Sequence, residues 1–232
     1  MPAEKILSEI IEQLKEFSTT EISDALNRFG VKGGLEGIKP VVPGKKIVGP
    51  ALTVRKLPAD AVSPKKGGGD YLDIAKKGDV IVIDNGGRLD CTVFGDILAA
   101  ACKQAELEGT IIYGCCRDVA NLKKIDYPIF SKGTYMQTGK DMTQYDALNI
   151  PIGIYNVLVE PGDIIVGDDS GVLVIPQELA GKVLAAAQEI GEAENLIKKS
   201  TKKGLDLEDA HLSLSEARKK YGYFDLQKPN LA

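Results

Sequence analysis

The sequence predicts an α/β fold in which buried strands alternate with amphipathic helices and an antiparallel hairpin is added near the C-terminus. Two apolar runs, Val80-Ile81-Val82-Ile83 and Ile111-Ile112-Tyr113, have the unbroken hydrophobicity of strands covered on both faces. Between and around them, apolar residues recur at helical spacing. A Gly-Asp turn feeds a strand twice, at Gly78-Asp79 and at Gly162-Asp163. After the second, Asp168-Asp169-Ser170-Gly171 joins Ile164–Val166 to Val172–Ile175 as a hairpin.

Ile6, Ile10, Ile11 and Leu14 share one face of a helix spanning Glu4 to Phe17. Ser18 and Glu21 then have the spacing of a capping box, which starts a second short helix through Ile22, Ala25 and Leu26 and ending near Gly30. Ile47 to Arg55 reads as a strand, and Pro50, which has no N–H to give a ladder, places it at an edge or bulge. Lys65 to Gly69 reads as a flexible loop and Asn85-Gly86-Gly87 as a turn. Further helices are predicted from Gly95 to Ala105 and from Asp118 to Lys124, with a short strand at Pro128-Ile129-Phe130. The last long helix spans Glu178 to Lys199, with Leu179, Val183, Leu184, Ile190 and Ile197 near one stripe. We expect one α/β domain over residues 1–200 and a C-terminal helical or irregular extension over 201–232, helical around Leu212 to Tyr221.

Composition narrows the function. A chain of 232 residues, 44% hydrophobic, can bury a substantial core. A net charge of −4 argues against a nucleic-acid partner, which calls for a basic face. The sequence has no apolar run long enough for a membrane span, and the charged N-terminus does not resemble a signal peptide, so a cytoplasmic setting is expected. Cys91, Cys102, Cys115 and Cys116 form no CxxC and read as buried thiols. The single histidine, His211, leaves little room for a Ser–His or Cys–His nucleophile, so acid–base work falls to carboxylates, a lysine or metal-bound water.

Neither glycine-rich loop carries a nucleotide fingerprint: Asn85-Gly86-Gly87 lacks GxGxxG spacing, and Gly67-Gly68-Gly69 lacks the Lys and Ser/Thr of a phosphate loop. The informative stretch runs from Asp84 to Leu122. Gly95-Asp96-Ile97-Leu98 lies where a loop becomes a helix, and free N–H groups there can hold a carboxylate. Arg117-Asp118 follows the strand Ile111 to Gly114, at the strand end where ligand crevices of α/β sheets open. An arginine there can clamp a substrate carboxylate with two bonds, and the aspartate can offer a hard oxygen to Mg²⁺ or Mn²⁺. The alternative is structural: Arg117 pairs with Asp96, and Asp118 caps the next helix.

Asp96, twenty intervening residues and Arg117-Asp118 resemble the D-x20-R-D signature of the RraA-like family, which includes 4-hydroxy-4-methyl-2-oxoglutarate (HMG) and 4-carboxy-4-hydroxy-2-oxoadipate aldolases and the ribonuclease E activity regulators. Ser23–Leu26, Val48–Thr53, Gly78–Val80, Gly87–Asp90, Pro161–Asp163 and Asp168–Val172 resemble further family landmarks in order, so the likeness covers about residues 15–195. It implies a swivelling β/β/α domain with terminal helical extensions, assembled as homotrimers or hexamers with active sites near subunit interfaces. It also implies roles: Arg117 and the amides of Gly95, Asp96, Ile97 and Leu98 hold the pyruvate-like end of a 2-oxo acid, Asp118 binds the metal, and Asp96 positions metal-bound water.

The implied activity is a metal-dependent carbon–carbon lyase that releases pyruvate from a short 2-oxo or hydroxy dicarboxylic acid, with oxaloacetate decarboxylation as a side reaction. One position departs. The aldolases continue R-D-x2-E/D, and here Asn121 stands in that place, uncharged and unable to act as a base. That departure bears on HMG cleavage, and it supports the alternative of a non-catalytic regulator that binds another protein. A family carboxylate reaching in from a neighbouring subunit corresponds to Glu189 or Glu192.

Overall fold

The computed structural model describes residues 2–59 and 70–202. The predicted Lys65–Gly69 loop, His211 and the 203–232 segment lie outside the described residues. The chain divides into two compact units, one built by Gly33–Gln177 and the other by the terminal segments on either side of it.

The terminal unit is helical. Helix α1 (Pro2–Leu14) is followed by α2 (Thr19–Arg28). The predicted capping box is present: the Ser18 side chain accepts the Glu21 N–H, and the Glu21 carboxylate accepts the Ser18 N–H at 2.7 Å. Within this unit α1 and α2 both pack on the long C-terminal helix, α5 once the intervening helices are numbered, which spans Ala180–Lys202. The side chains of Ile10 and Phe17 lie against Gly181 and Gly191 of that helix. The predicted stripe is used inside the chain: Val183, Leu184 and Ile190 are buried, so they offer no free surface for assembly.

The central unit is a mixed sheet of nine strands. In chain order these are β1 (Lys39–Pro40), β2 (Ile47–Pro58), β3 (Val80–Asp84), β4 (Thr92–Phe94), β5 (Gly109–Cys116), β6 (Ile129–Thr134) and β7 (Thr143–Leu148). A separate hairpin, β8 (Ile152–Ile154) and β9 (Val157–Val159), precedes β10 (Ile164–Asp168) and β11 (Gly171–Ile175). Sheet order is β1-β6-β5-β3-β2-β10-β11, with β4 added to β5 and β7 to β2. Strands β2, β3, β5 and β6 run parallel, with α3 (Asp96–Gln104) preceding β5 and α4 (Val119–Ile125) joining β5 to β6. The β10–β11 hairpin is as predicted. The continuous burial of Val80–Ile83 follows from apolar clusters on both faces of the sheet: Ile81 and Ile83 pack with Ala99, Cys102 and Leu122, and Val80 and Val82 with Phe130, Ile152 and Val174.

The edge placement inferred from Pro50 is corrected. Strand β2 is interior, with Ile47–Pro50 pairing antiparallel to β10 and Ala51–Arg55 pairing parallel to β3. Pro50 is tolerated because it sits where the strand changes partners, one residue before the β3 ladder begins. Strand β2 also runs three residues past Arg55 to pair with β7 through a bulge, which a twelve-residue strand allows and the apolar run alone does not announce.

Candidate active site

The site is built at the carboxyl end of the parallel strands. The last residues of β5 pair with β4, Thr92 opposite Cys115 and Phe94 opposite Cys116. The Arg117 N–H then donates to the Phe94 carbonyl at 3.0 Å. Because the chain leaves β4 directly into Gly95 and α3, this pairing brings the start of α3 against Arg117 and Asp118. The two halves of the signature therefore meet through backbone geometry.

Asp118 has φ 62° and ψ 33°, the left-handed region that costs a non-glycine residue roughly 1–3 kcal/mol. It occupies the N-cap position of α4, and its carbonyl accepts the Asn121 and Leu122 N–H groups at 2.8 and 2.9 Å. Its side chain, however, makes no capping bond. Oδ2 turns back to the start of α3, 3.4 Å from the Asp96 amide and 3.4 Å from Arg117 Nε. The cap alternative does not describe this residue, and the ion pair in the corner is Arg117–Asp118. With side chains 41% and 33% exposed, that pair contributes little stability.

Asp96 is held by Asn121, whose Nδ2 donates to Asp96 Oδ2 at 2.8 Å. The departure at Asn121 thus supplies a donor to the neighbouring aspartate where a carboxylate would repel it. Gly95 is extended, and its constraint is space: a Cβ there would lie 2.6 Å from Asp118 Oδ2. The first α3 amides, of Asp96, Ile97 and Leu98, have no carbonyl behind them within the helix. Ile97 is 80% exposed.

All six predicted residues line one cleft of about 610 Å³. Its opposite wall, absent from the sequence reading, is Lys56 with Thr138–Asp141 and Thr143–Tyr145. Hydrogen bonds with residues between Asn85 and Thr92 hold that wall. Thr143 Oγ1 donates to Asn85 Oδ1 at 3.0 Å, Arg88 Nη1 to the Met142 carbonyl at 2.7 Å, and the Thr92 N–H to the Gln137 carbonyl at 3.1 Å. Asn85-Gly86-Gly87 is the expected turn, with Gly86 and Gly87 at φ 62° and 66°. Lys56 Nζ lies 3.7 Å from the centre of the Tyr145 ring, and burial pushes its ammonium down to about 8. A signal for Lys56 existed: it stands at the carboxyl end of a predicted strand.

The four cysteines are buried and free, as expected, and burial pushes Cys102 and Cys116 up to about 11. Glu189 is engaged within its own chain, accepting from Arg28 Nη1 at 2.7 Å, whereas Glu192 is exposed. Among the described residues no group of three or more His, Cys, Asp and Glu could hold a metal. A cation caged wholly by protein does not fit this corner. Asp118, with its flank kept open by Gly95, and Asp96 are the carboxylates that could donate to a hard cation such as Mg²⁺ or Mn²⁺, which keeps several waters and needs only one or two carboxylates plus substrate oxygens. Among the described residues no helix is long and apolar enough to cross a membrane.

A family model described as RraA-like, Aldolase/RraA, matches residues 19–174. Protein DlpA of Legionella pneumophila is 40% identical over 87% of this chain, and the chain spans 33% of the length of DlpA. A protein of Halalkalibacterium halodurans provisionally named 4-hydroxy-4-methyl-2-oxoglutarate aldolase is 35% identical, with 90% of each chain covered. The crystal structure of an uncharacterized protein from Pseudomonas syringae pv. tomato superposes with a TM-score of 0.80 at 36% identity, over 88% of this chain and 97% of that one. The matched model takes in the strands, the β4–α3 junction and the Arg117-Asp118 corner, and the chain belongs to the RraA-like family.

Proposed function

We propose that the chain is a divalent-metal-dependent carbon–carbon lyase that acts on a short 2-oxo acid and releases pyruvate. The observation that carries this reading is the convergence, on one cleft, of a guanidinium, the opening amides of α3 and a strained aspartate whose carboxylate makes no capping bond to its own helix. Arg117 and the amides of Ile97 and Leu98 bind and orient the carboxylate next to the 2-oxo group. Asp118, with Asp96 beside it, would hold Mg²⁺ or Mn²⁺. When bound, that ion offsets the negative charge that gathers on the 2-oxo oxygen as the C–C bond breaks. Asn121 fixes Asp96 by its Oδ2, which leaves Oδ1 to position a water or accept a proton from the substrate hydroxyl.

Decarboxylation of oxaloacetate needs only the charge stabilisation, so it does not depend on an acid at position 121. Pyruvate release across a panel of 2-oxo acids with Mg²⁺, Mn²⁺ or EDTA tests the proposal. Oxaloacetate should be turned over with metal and not with EDTA. Equal rates with and without metal, after subtracting the rate of free metal, would reject the lyase. The neutral Asn121 favours one other reading, a regulator that binds another protein; it predicts no turnover of any acid in the panel. We further propose a homotrimer or a multiple of one. The support for this is the family resemblance, and a monomer by light scattering at micromolar concentration would contradict it.

A further inference from the structure

We propose that Lys56 binds the substrate's second carboxylate, so that the cleft prefers a dicarboxylic 2-oxo acid to a monocarboxylic one of the same length. This rests on the reading of Arg117 and the α3 amides as the seat of the first carboxylate.

Neighbouring cations on β2 meet different fates. At the β2–β7 bulge, Arg55 pairs with Ala147 and Lys56 with Tyr145, which leaves Asp146 as the extra residue. Asp146 turns to Arg55 and accepts from its Nε at 2.5 Å. Successive residues of a strand face opposite sides, so Lys56 projects to the other face, into the cleft that Arg117 and Asp118 also line. There its ammonium sits on the Tyr145 ring, and among the described residues no carboxylate pairs with it.

The Tyr145 ring, 8% exposed, shields the ammonium from water on one side without supplying a negative charge. Burial of this kind disfavours the charged amine, consistent with its lowered pKa. An incoming carboxylate supplies a counter-charge that the described residues do not, and in a partly desolvated cleft it does so without the screening that weakens surface pairs. Lys140, the other lysine of the cleft, is exposed and a weaker candidate for the same task.

Isothermal titration with Mg²⁺ at neutral pH, comparing 2-oxoglutarate with 2-oxopentanoate, tests this in the wild type, Lys56→Met and Lys56→Arg. The wild type should bind the dicarboxylate about ten- to a hundredfold more tightly, the range of one charge-assisted bond. Lys56→Met, which keeps an unbranched apolar stem over Tyr145, should bring the two acids to within about threefold. Lys56→Arg should retain most of the preference. A preference that survives in Lys56→Met, or a wild type that binds both acids equally, overturns the inference and leaves the Arg117 site standing. A wild type that binds neither acid overturns the site itself, and this inference with it.

Discussion

Two aspartates at predicted landmarks, Asp163 and Asp118, put the same side chain to opposite uses. Asp163 is 6% exposed, and both oxygens receive backbone amides: Oδ2 from Glu160 at 2.8 Å and Oδ1 from Gln177 at 3.2 Å. It closes the turn that feeds β10. Asp118 stands where a cap belongs, in a strained backbone state, and gives its carboxylate to no amide of its own helix. A buried carboxylate saturated by amides is structural, whereas one held part-exposed in a cleft at a cost in strain is available for chemistry. The sequence pattern alone does not separate these, because Gly-Asp and Arg-Asp are equally plausible turns and caps.

Substitutions sharpen the contrast. Asp118→Asn should have the largest effect: loss of most pyruvate release, on the order of a thousandfold, since several kcal/mol of charge stabilisation depend on holding the metal, with the melting temperature little changed. Excess metal should restore part of the rate. Arg117→Lys keeps the charge and loses the fork, so kcat/KM should fall about ten- to a hundredfold with metal affinity little altered. Gly95→Ala drives a methyl against Asp118 Oδ2 and should cut activity by roughly tenfold, from about 1–3 kcal/mol of overpacking, while far-UV circular dichroism stays native. Asp163→Asn should do the reverse of Asp118→Asn. Replacing an acceptor of two amides costs about 1.5–3 kcal/mol, or roughly 3–12 °C in Tm, with kcat per folded molecule preserved. A Tm loss in Asp118→Asn as large as in Asp163→Asn would erase the distinction. The smallest effect is expected at the thiols. The native protein should resist iodoacetamide at pH 8, because Cys102 and Cys116 are buried and held protonated, and it should label fully in denaturant.

The same contrast marks what was legible in the sequence. Elements with a strong local signal were readable: the Ser18–Glu21 box, the apolar β3 and β5, the Gly-Asp-fed hairpin and the start of α3. So was the Asp96, Arg117, Asp118 wall, because the strand-end rule and the family signature both point to it. The other wall was not. Nor, away from that wall, were strands β4, β8 and β9, which have three residues each, too few for a period to show. Strand β7 reaches Lys56 only through long-range pairing with a bulge, so nothing near Lys56 in the chain announces its ring. The role of Asn121 was hidden for a related reason: its partner is Asp96, twenty-five residues away and close only because β4 joins β5. Pro50 misled because a strand that changes partners midway relieves the constraint that usually sends proline to an edge.

The central claim is that Asp118 is a metal-holding residue and not a cap, and Mn²⁺ titration followed by electron paramagnetic resonance tests it most directly. Wild-type protein should take up one Mn²⁺ per chain, with loss of the free-ion signal, and Asp118→Asn should leave most of the ion free at the same concentrations while Asp163→Asn binds as the wild type does. Because Asn caps a helix about as well as Asp, equal Mn²⁺ uptake by wild type and Asp118→Asn would contradict the account.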